Sequence, residues 1–508
     1  MAREAVAVDA ASGRKPTGRR NRPLAPESLT DRAEGRDVKR ILFITALNPE
    51  LELDLRQPSL GVQYLASVIH RDRPGRYEIR HADRRVERAM DEFRPDLVAI
   101  SSTSAYFDRA REAARSAKAR GLPVLVGGIH VSMLPESLYP EMDVAALGEG
   151  ERTIIPLLDL WEETGAFPHD RLREIPGVAF READGSVFQA EPVTHIQPLD
   201  ALPFPDRRLA PVPRHAYMFT SRGCPYRCAF CASTRYWPGK VRFFSAEYVV
   251  AEIEELIHRY GVSLISFYDD LFCANLPRLK EIARRMDERH LVGRVKFTCN
   301  ARANIVSDEM AEVLKAMGVA SVNMGLESGC KETLAYLKDR VTVEQNREAM
   351  EILHRHGLFV SGSFIIGSPH ETKAQMMETY EFLKRAPLAI TDVNILIPYP
   401  GTPVWEYALA RGLVSNGMDW SRLTYGMIVD PKRLINLSEH LSAEEVCRLH
   451  RKFLVLRYRK VLSNIIFHPY RMDLLRSAGR MASGMVSGAA RQAWRALVGR
   501  KTPKNGVG

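Results

Sequence analysis

Short apolar runs alternate with helix-period stretches twice along this chain. The first series opens at Ile41-Leu-Phe-Ile and places strands near 40–46, 77–82, 96–103, 123–129 and 143–147, with helices near 60–70, 85–93, 108–120 and 151–164. That alternation predicts an α/β fold with a doubly wound, Rossmann-like parallel sheet. A second series starts at His215, with strands near 216–221, 263–269, 296–300, 320–326, 359–366 and 392–398, each followed by a helical segment. Six βα units in about 195 residues are too few for a closed eight-stranded barrel, so an open, TIM-like partial (β/α)6 barrel is expected, its active site at the carboxyl ends of the strands. Between the two series lie many prolines and a hairpin pattern, Gly177-Val-Ala-Phe and Val187-Phe188 around Asp184-Gly185. The expected layout is a flexible extension at 1–38, an α/β domain at 39–165, a linker with hairpin at 166–214, the barrel at 215–412 and a helical, basic region at 413–508.

Composition changes this picture little. With 508 residues, 45% hydrophobic and 26% charged, the chain has room for two or three ordinary cores. Its seven cysteines are an odd number, and Cys273, Cys299, Cys330 and Cys447 are scattered, which argues against a secreted disulfide framework and for a reducing cytoplasm. No run of about 18 apolar residues marks a membrane span, and no signal peptide is read at the N-terminus.

Charge is more telling because it is uneven. The net +10 resides in the tail, where residues 451–508 hold thirteen Lys and Arg against Asp473 alone. The body of the protein therefore carries no general nucleic-acid signal. In the tail Leu449, Phe453, Leu454, Leu456 and Val461 keep helical spacing, and Leu474, Met481 and Met485 oppose Arg476, Arg480, Arg491 and Arg495. Two readings stay open: a basic amphipathic helix on an anionic membrane surface, or a solvated helix that packs its apolar side on the barrel.

The candidate chemistry sits in Arg222-Gly-Cys-Pro-Tyr-Arg-Cys-Ala-Phe-Cys, where Cys224, Cys228 and Cys231 bring three soft ligands together without a fourth. Structural zinc takes four closed ligands, so a zinc knuckle is disfavoured against an iron–sulfur cluster with one open iron. The spacing Cys-x-x-x-Cys-x-aromatic-Cys, with Phe230 as the aromatic residue, on the loop after the first barrel strand, resembles the radical S-adenosylmethionine (SAM) superfamily. That resemblance implies that Cys224, Cys228 and Cys231 ligate a 4Fe-4S cluster whose remaining iron takes SAM, and that SAM is cleaved reductively to a 5′-deoxyadenosyl radical. An external one-electron reductant such as flavodoxin or ferredoxin is implied with it. Other strand ends resemble the family's SAM contacts: Asp269 or Asp270 for the ammonium, Arg302 for the carboxylate, Glu327 with Ser328 for the polar or ribose face, and Gly367 on the adenine side.

Ser101-Ser102-Thr103 and Gly127-Gly128 end strands of the first series, at the edge where open α/β sheets bind ligands. With Gly148-Glu149-Gly-Glu151 and Pro58-Ser-Leu-Gly61 they resemble the cobalamin-binding domain that precedes the barrel in one radical SAM subgroup. The Asp-x-His-x-x-Gly of histidine-ligated cobalamin domains is missing, so any cobalamin would bind without that lower ligand. His81 lacks the spacing, and His130 is read as a hydrogen-bonding loop residue rather than a cobalt ligand. The resemblance implies methylation of an unactivated carbon in a small-molecule or lipid-like substrate. A radical cyclase, rearrangement or oxidation enzyme and a non-catalytic cobalamin-binding or metal-sensing protein are the alternatives.

Overall fold

The computed structural model describes residues 38–47, 59–237, 239–424 and 429–464, the last four in backbone only. The expected extension at 1–38, all but Val38, and the tail pattern around Leu474, Met481 and Met485 lie outside the described residues.

Five parallel strands form the first sheet: β1 (Lys39–Thr45), β2 (Tyr77–Ala82), β3 (Leu97–Ser101), β4 (Val124–Gly127) and β5 (Val144–Ala146), in the order β2-β1-β3-β4-β5. Their apolar runs are continuous because both faces are covered. Ile41, Phe43, Leu97 and Ala99 enter one core with helices 60–72 and 150–164, while Leu42, Ile44, Val98 and Ile100 enter a second with helices 86–93 and 107–118. The hairpin expected inside a linker belongs to this sheet: β6 (Val178–Arg181) pairs antiparallel with β5, and β7 (Val187–Gln189) pairs with β6. A three-residue β5 would leave an open edge, and the hairpin pairs it.

The second sheet is open and wholly parallel. It contains β8 (His215–Met218), β11 (Leu264–Phe267), β12 (Lys296–Ala301), β13 (Val319–Glu327), β14 (Phe359–Ile366) and β15 (Ile390–Ile395), adjacent in that order. Its helices begin on hydroxyl or amide caps: Ser245, Asn275, Ser307, Thr342 and Thr372 each accept a backbone N–H from the first turn. Between β8 and β11 a short antiparallel ribbon, β9 (Ser221–Arg222) with β10 (Arg242–Phe243), closes the base of the cysteine loop.

The C-terminal residues settle the open question of the tail for its described part. Helix 443–464 lies along β15, with Phe453 fully buried and Leu449, Leu454 and Leu456 nearly so. Its His450 bonds the Val393 carbonyl at 2.9 Å, and Arg457 pairs with Asp392 at 2.7 Å. Of the two readings, packing of the apolar side on the barrel is the one that these residues follow. Among the described residues no helix is long and apolar enough to cross a membrane. Trp405 and Trp420, from the segment that precedes this helix, pack back into the second core of the first sheet.

Candidate functional site

The carboxyl edges of both sheets open on one cavity of about 580 Å3. From the first sheet Ser101, Gly127, Gly128 and Gly148 line it, and from the barrel Phe219, Tyr236, Trp237, Tyr268 and Asp270. Gly128 has φ +104°, and a Cβ there would stand 2.5 Å from the Ser102 carbonyl oxygen, so this cradle admits glycine alone. Ser102 and Thr103 do not share the site. Ser102 is buried with its hydroxyl donated to the Thr103 carbonyl at 2.9 Å, and Thr103 is exposed at the start of a turn.

The cysteine loop leaves the ribbon β9–β10 through Gly223, at φ +103°, where any Cβ would collide with the Lys240 carbonyl. Cys228 is buried, Cys224 and Cys231 half-buried, and none is in a disulfide. Burial pushes the Cys231 thiol up to about 12, with Cys228 and Cys224 among the neighbours that add to it. Burial opposes ionisation of Cys224 and Cys231, and thiols so placed are what a polycationic cluster stabilises as thiolates. Arg302 supports the same fit: Nη1 donates to Cys228 Sγ at 3.2 Å, and Nη2 is buried without a hydrogen-bond partner. Its guanidinium stacks 3.7 Å above the Tyr226 ring, and Nε donates to Asn304, whose amide donates to Tyr226. A buried guanidinium N–H with nothing to bond suits a carboxylate from a ligand.

The acidic pair at the end of β11 divides. Asp269 turns inward and accepts from Thr220 N at 2.6 Å, Thr220 Oγ1 at 2.5 Å and Ser221 Oγ at 2.6 Å. Its carboxylate holds the β8–β9 corner and lies outside the cavity lining. Asp270 lines the cavity and accepts from Ser233 Oγ at 2.9 Å. Burial raises its pKa, a sign that the carboxylate has less solvation than it needs and would gain from a cation.

Glu327 ends β13 at φ +60° beside a register shift in the strand. It is buried 3.5 Å from Lys338 Nζ, which also donates to the Gly325 carbonyl. Ser328 is fully buried and bonds Thr379 Oγ1 at 2.8 Å and Cys330 N at 3.0 Å, so its hydroxyl faces helix 373–385 and not the cavity. Phe230 packs against the second core, outside the cavity lining. Gly367, at φ +84°, donates its N–H to Glu371 Oε2 at 2.7 Å.

Glu149, expected at the ligand, lines the cavity, and its carboxylate is engaged by neighbouring arginines. Its carboxylate accepts Arg222 Nη1 at 2.6 Å, Arg242 Nη1 at 2.8 Å and Ile196 N at 2.7 Å, all buried. Arg222 also bonds Glu151 at 2.6 Å. These arginines flank the cysteine loop, so the network clamps that loop to the glycine edge of the first sheet. Tyr236 adds a hydrogen bond to the Gly148 carbonyl at 2.7 Å. Sequence reasoning missed the clamp, since its members are 71 to 93 residues apart.

His130 is buried between Phe107, 3.9 Å away, and Trp420, 4.4 Å away, with its nitrogens bonded to Ser104 at 3.0 Å and Ser137 at 2.8 Å. Desolvation lowers its pKa to about 3, and it serves the core. His81 bonds Thr45 at 2.8 Å. Among the described residues lining the cavity there is no histidine, which matches the missing Asp-x-His-x-x-Gly.

Two family profiles match the chain in this same arrangement: the B12 binding domain at residues 51–158 and the radical SAM superfamily at residues 218–383. An uncharacterized methyltransferase of Pyrococcus horikoshii is 31% identical over 432 residues, covering 81% of this chain and 90% of that protein. The chain thus belongs to the radical SAM superfamily, in the group that carries a B12 binding domain ahead of the barrel, and is an enzyme of that class. The anaerobic magnesium-protoporphyrin IX monomethyl ester cyclase of Cereibacter sphaeroides is 28% identical over 334 residues, 62% of this chain and 54% of that one. In fold, the chain resembles the radical SAM methyltransferase TsrM of Kitasatospora setae, solved with tryptophan and a SAM analogue, at a TM-score of 0.63 and 19% identity over 74% of this chain and 77% of that one.

Proposed function

We propose that this protein is a cobalamin-dependent radical SAM methyltransferase acting on an unactivated carbon of a small molecule. The observation that carries the reading is the single cavity that the cysteine loop's neighbours and the glycine cradle line from opposite sides. A 4Fe-4S cluster on Cys224, Cys228 and Cys231, with SAM and cobalamin, supplies the hydrogen-abstracting radical and the methyl carrier.

The chain's own part is to hold, orient and exclude water. Arg302, with Nη1 on Cys228 Sγ and Nη2 free, would take the SAM carboxylate, and Asp270 in the cavity wall would take the ammonium. Glu327, at the end of β13, would serve the ribose side, with Lys338 beside it to balance its charge. Ser101, Gly127, Gly128 and Gly148 form the edge that would hold cobalamin. The electron comes from a flavodoxin or ferredoxin, in a reducing cytoplasm where the thiols survive. The proposed domain limits are 39–165 for the cobalamin domain and 215–412 for the barrel, with 166–214 joining them and adding its hairpin to the first sheet, and 413–508 following.

The deciding experiment is anaerobic reconstitution with iron, sulfide and cobalamin, followed by assay of SAM cleavage. Native protein should form both 5′-deoxyadenosine and S-adenosylhomocysteine, and with methyl-labelled SAM the label should leave the sulfonium for the acceptor. If Cys228→Ala forms as much 5′-deoxyadenosine as the native chain, the radical reading is wrong. Deoxyadenosine without S-adenosylhomocysteine would indicate non-methylating radical chemistry.

A further inference from the structure

The barrel sheet has two chemically opposite faces. Toward the helices it presents Phe267, Phe297, Val322, Leu326, Phe364 and Ile366, all buried. The concave face is polar in row after row. Parallel pairing sets Ser266 beside Thr298, Asn300 beside Asn323, and Asn323 beside Ser361. Ser363 stands beside Asp392, and Asn394 beside Ile365. Apolar side chains on this face are few: Leu264, Phe359 and Ile390 at the amino ends of their strands, and Ile365 near the mouth.

These groups are organised and still reachable. His215 bonds Ser266 at 2.8 Å, and Ser266 bonds Thr298 Oγ1 at 2.7 Å. Asn300 donates to the Asp269 carbonyl at 2.9 Å and accepts from Asn323 at 3.4 Å. Asn323, Asp392 and Asn394 remain exposed. The one carboxylate in these rows, Asp392, is balanced by Arg457, and the one lysine, Lys296, stands beside Leu264 at the amino end, so the rows toward the mouth are polar without strong net charge. At the mouth, Tyr268 is 41% exposed and meets Tyr217 edge-on at 5.4 Å, with Phe219 at 6.0 Å, giving an aromatic wall beside Asp270.

A lipid chain or a flat tetrapyrrole pressed onto these rows would strip water from hydroxyls and amides without replacing it. Each group so stranded costs about 1–3 kcal/mol. A ring carrying several hydroxyls does the reverse, since its oxygens meet amide and hydroxyl partners and its C–H face stacks on an aromatic ring. We propose that the substrate is a neutral, hydroxyl-rich ring compound of the sugar or cyclitol class, bound along Asn300, Asn323, Ser361 and Ser363 with Tyr268 against its apolar face. This rests on the radical methyltransferase reading above and selects among its possible substrates.

The test uses reconstituted full-length protein with SAM, cobalamin and a chemical reductant, and reads 5′-deoxyadenosine with and without added probes. The probes are the water-soluble, low-molecular-weight fraction of the source cells, their chloroform-extracted lipids, and magnesium-protoporphyrin IX monomethyl ester. The expected result is at least a tenfold stimulation by the water-soluble fraction, retained after anion and cation exchange and removed by periodate, which cleaves neighbouring hydroxyls. Asn323→Leu should lose that stimulation while keeping the native cluster absorption, which reports folding and loading independently of turnover. Stimulation by the lipids or the tetrapyrrole, resistance to periodate, stimulation by none of the probes, or an unaffected Asn323→Leu would each overturn the assignment. Failure to form any 5′-deoxyadenosine would instead strike the radical reading itself.

Discussion

At the scale of single residues, Arg302 and Glu371 carry the sharpest expectations. Arg302 touches Cys228 with one nitrogen and leaves another without a partner. Arg302→Ala should lower the cluster's midpoint potential, because a cationic donor to a ligating sulfur favours the reduced, more negative state. It should also weaken SAM binding by about ten- to a hundredfold, the worth of a hydrogen bond to a charged group. Redox titration followed by electron paramagnetic resonance and equilibrium binding of SAM check the two effects separately. Glu371 is fully buried under Gly367, and burial raises its carboxyl from 4.5 to about 7. A carboxyl raised on folding stabilises the protein fully below about pH 4.5, and that contribution fades as pH climbs through 7, by up to about 3 kcal/mol. Denaturation of Glu371→Gln between pH 5 and 8 should be flatter with pH than that of the native protein. Both residues show how far sequence reading reached. Arg302 is legible as the basic residue ending a barrel strand, whereas the division between Asp269 and Asp270 depends on which way each carboxylate turns. Thr220 and Ser221 decide that by taking Asp269, from a strand 49 residues away.

At the scale of elements, the turns at the strand ends are built for close approach. Gly128→Ala would drive a Cβ into the Ser102 carbonyl and require a left-handed backbone that alanine resists. Cobalamin retained after gel filtration should fall severalfold, and the melting temperature should drop with it. The strands and helices of both series were legible because short apolar runs alternate with stretches of helical period and because turns punctuate them. The hairpin 178–189 was legible as a hairpin. Its place was not, since pairing onto β5 is a choice of edge that no local pattern encodes.

At the scale of the whole molecule, the clamp of Glu149 on Arg222 and Arg242 ties the cysteine loop to the first sheet. Glu149→Gln leaves the buried Arg242 guanidinium without a carboxylate and Arg222 with Glu151 alone, a change of about 3–5 kcal/mol in systems of this kind. Chemical denaturation should show that loss, and iron bound per chain after reconstitution should fall even where cobalamin still binds. Helix 443–464 is the other long-range element. Phe453→Ala should cost about 3–5 kcal/mol by opening a cavity against the edge strand of the barrel. A loss below 1 kcal/mol would show that this helix contributes little to barrel stability.

The sequence alone determined the two α/β series and the three-cysteine loop, because hydrophobic period, turn chemistry and ligand spacing are local quantities. Cys224, Cys228 and Cys231 needed no partner from elsewhere to be read. Only the tertiary structure decided which acids face the cavity, that Glu149 is spent on arginines, and that the basic helix lies on the barrel. It also revealed the polar inner face of the barrel, since its members come from separate strands that only the register aligns. Each of these depends on contacts between residues far apart in the chain, where burial and pairing rather than local pattern set the outcome.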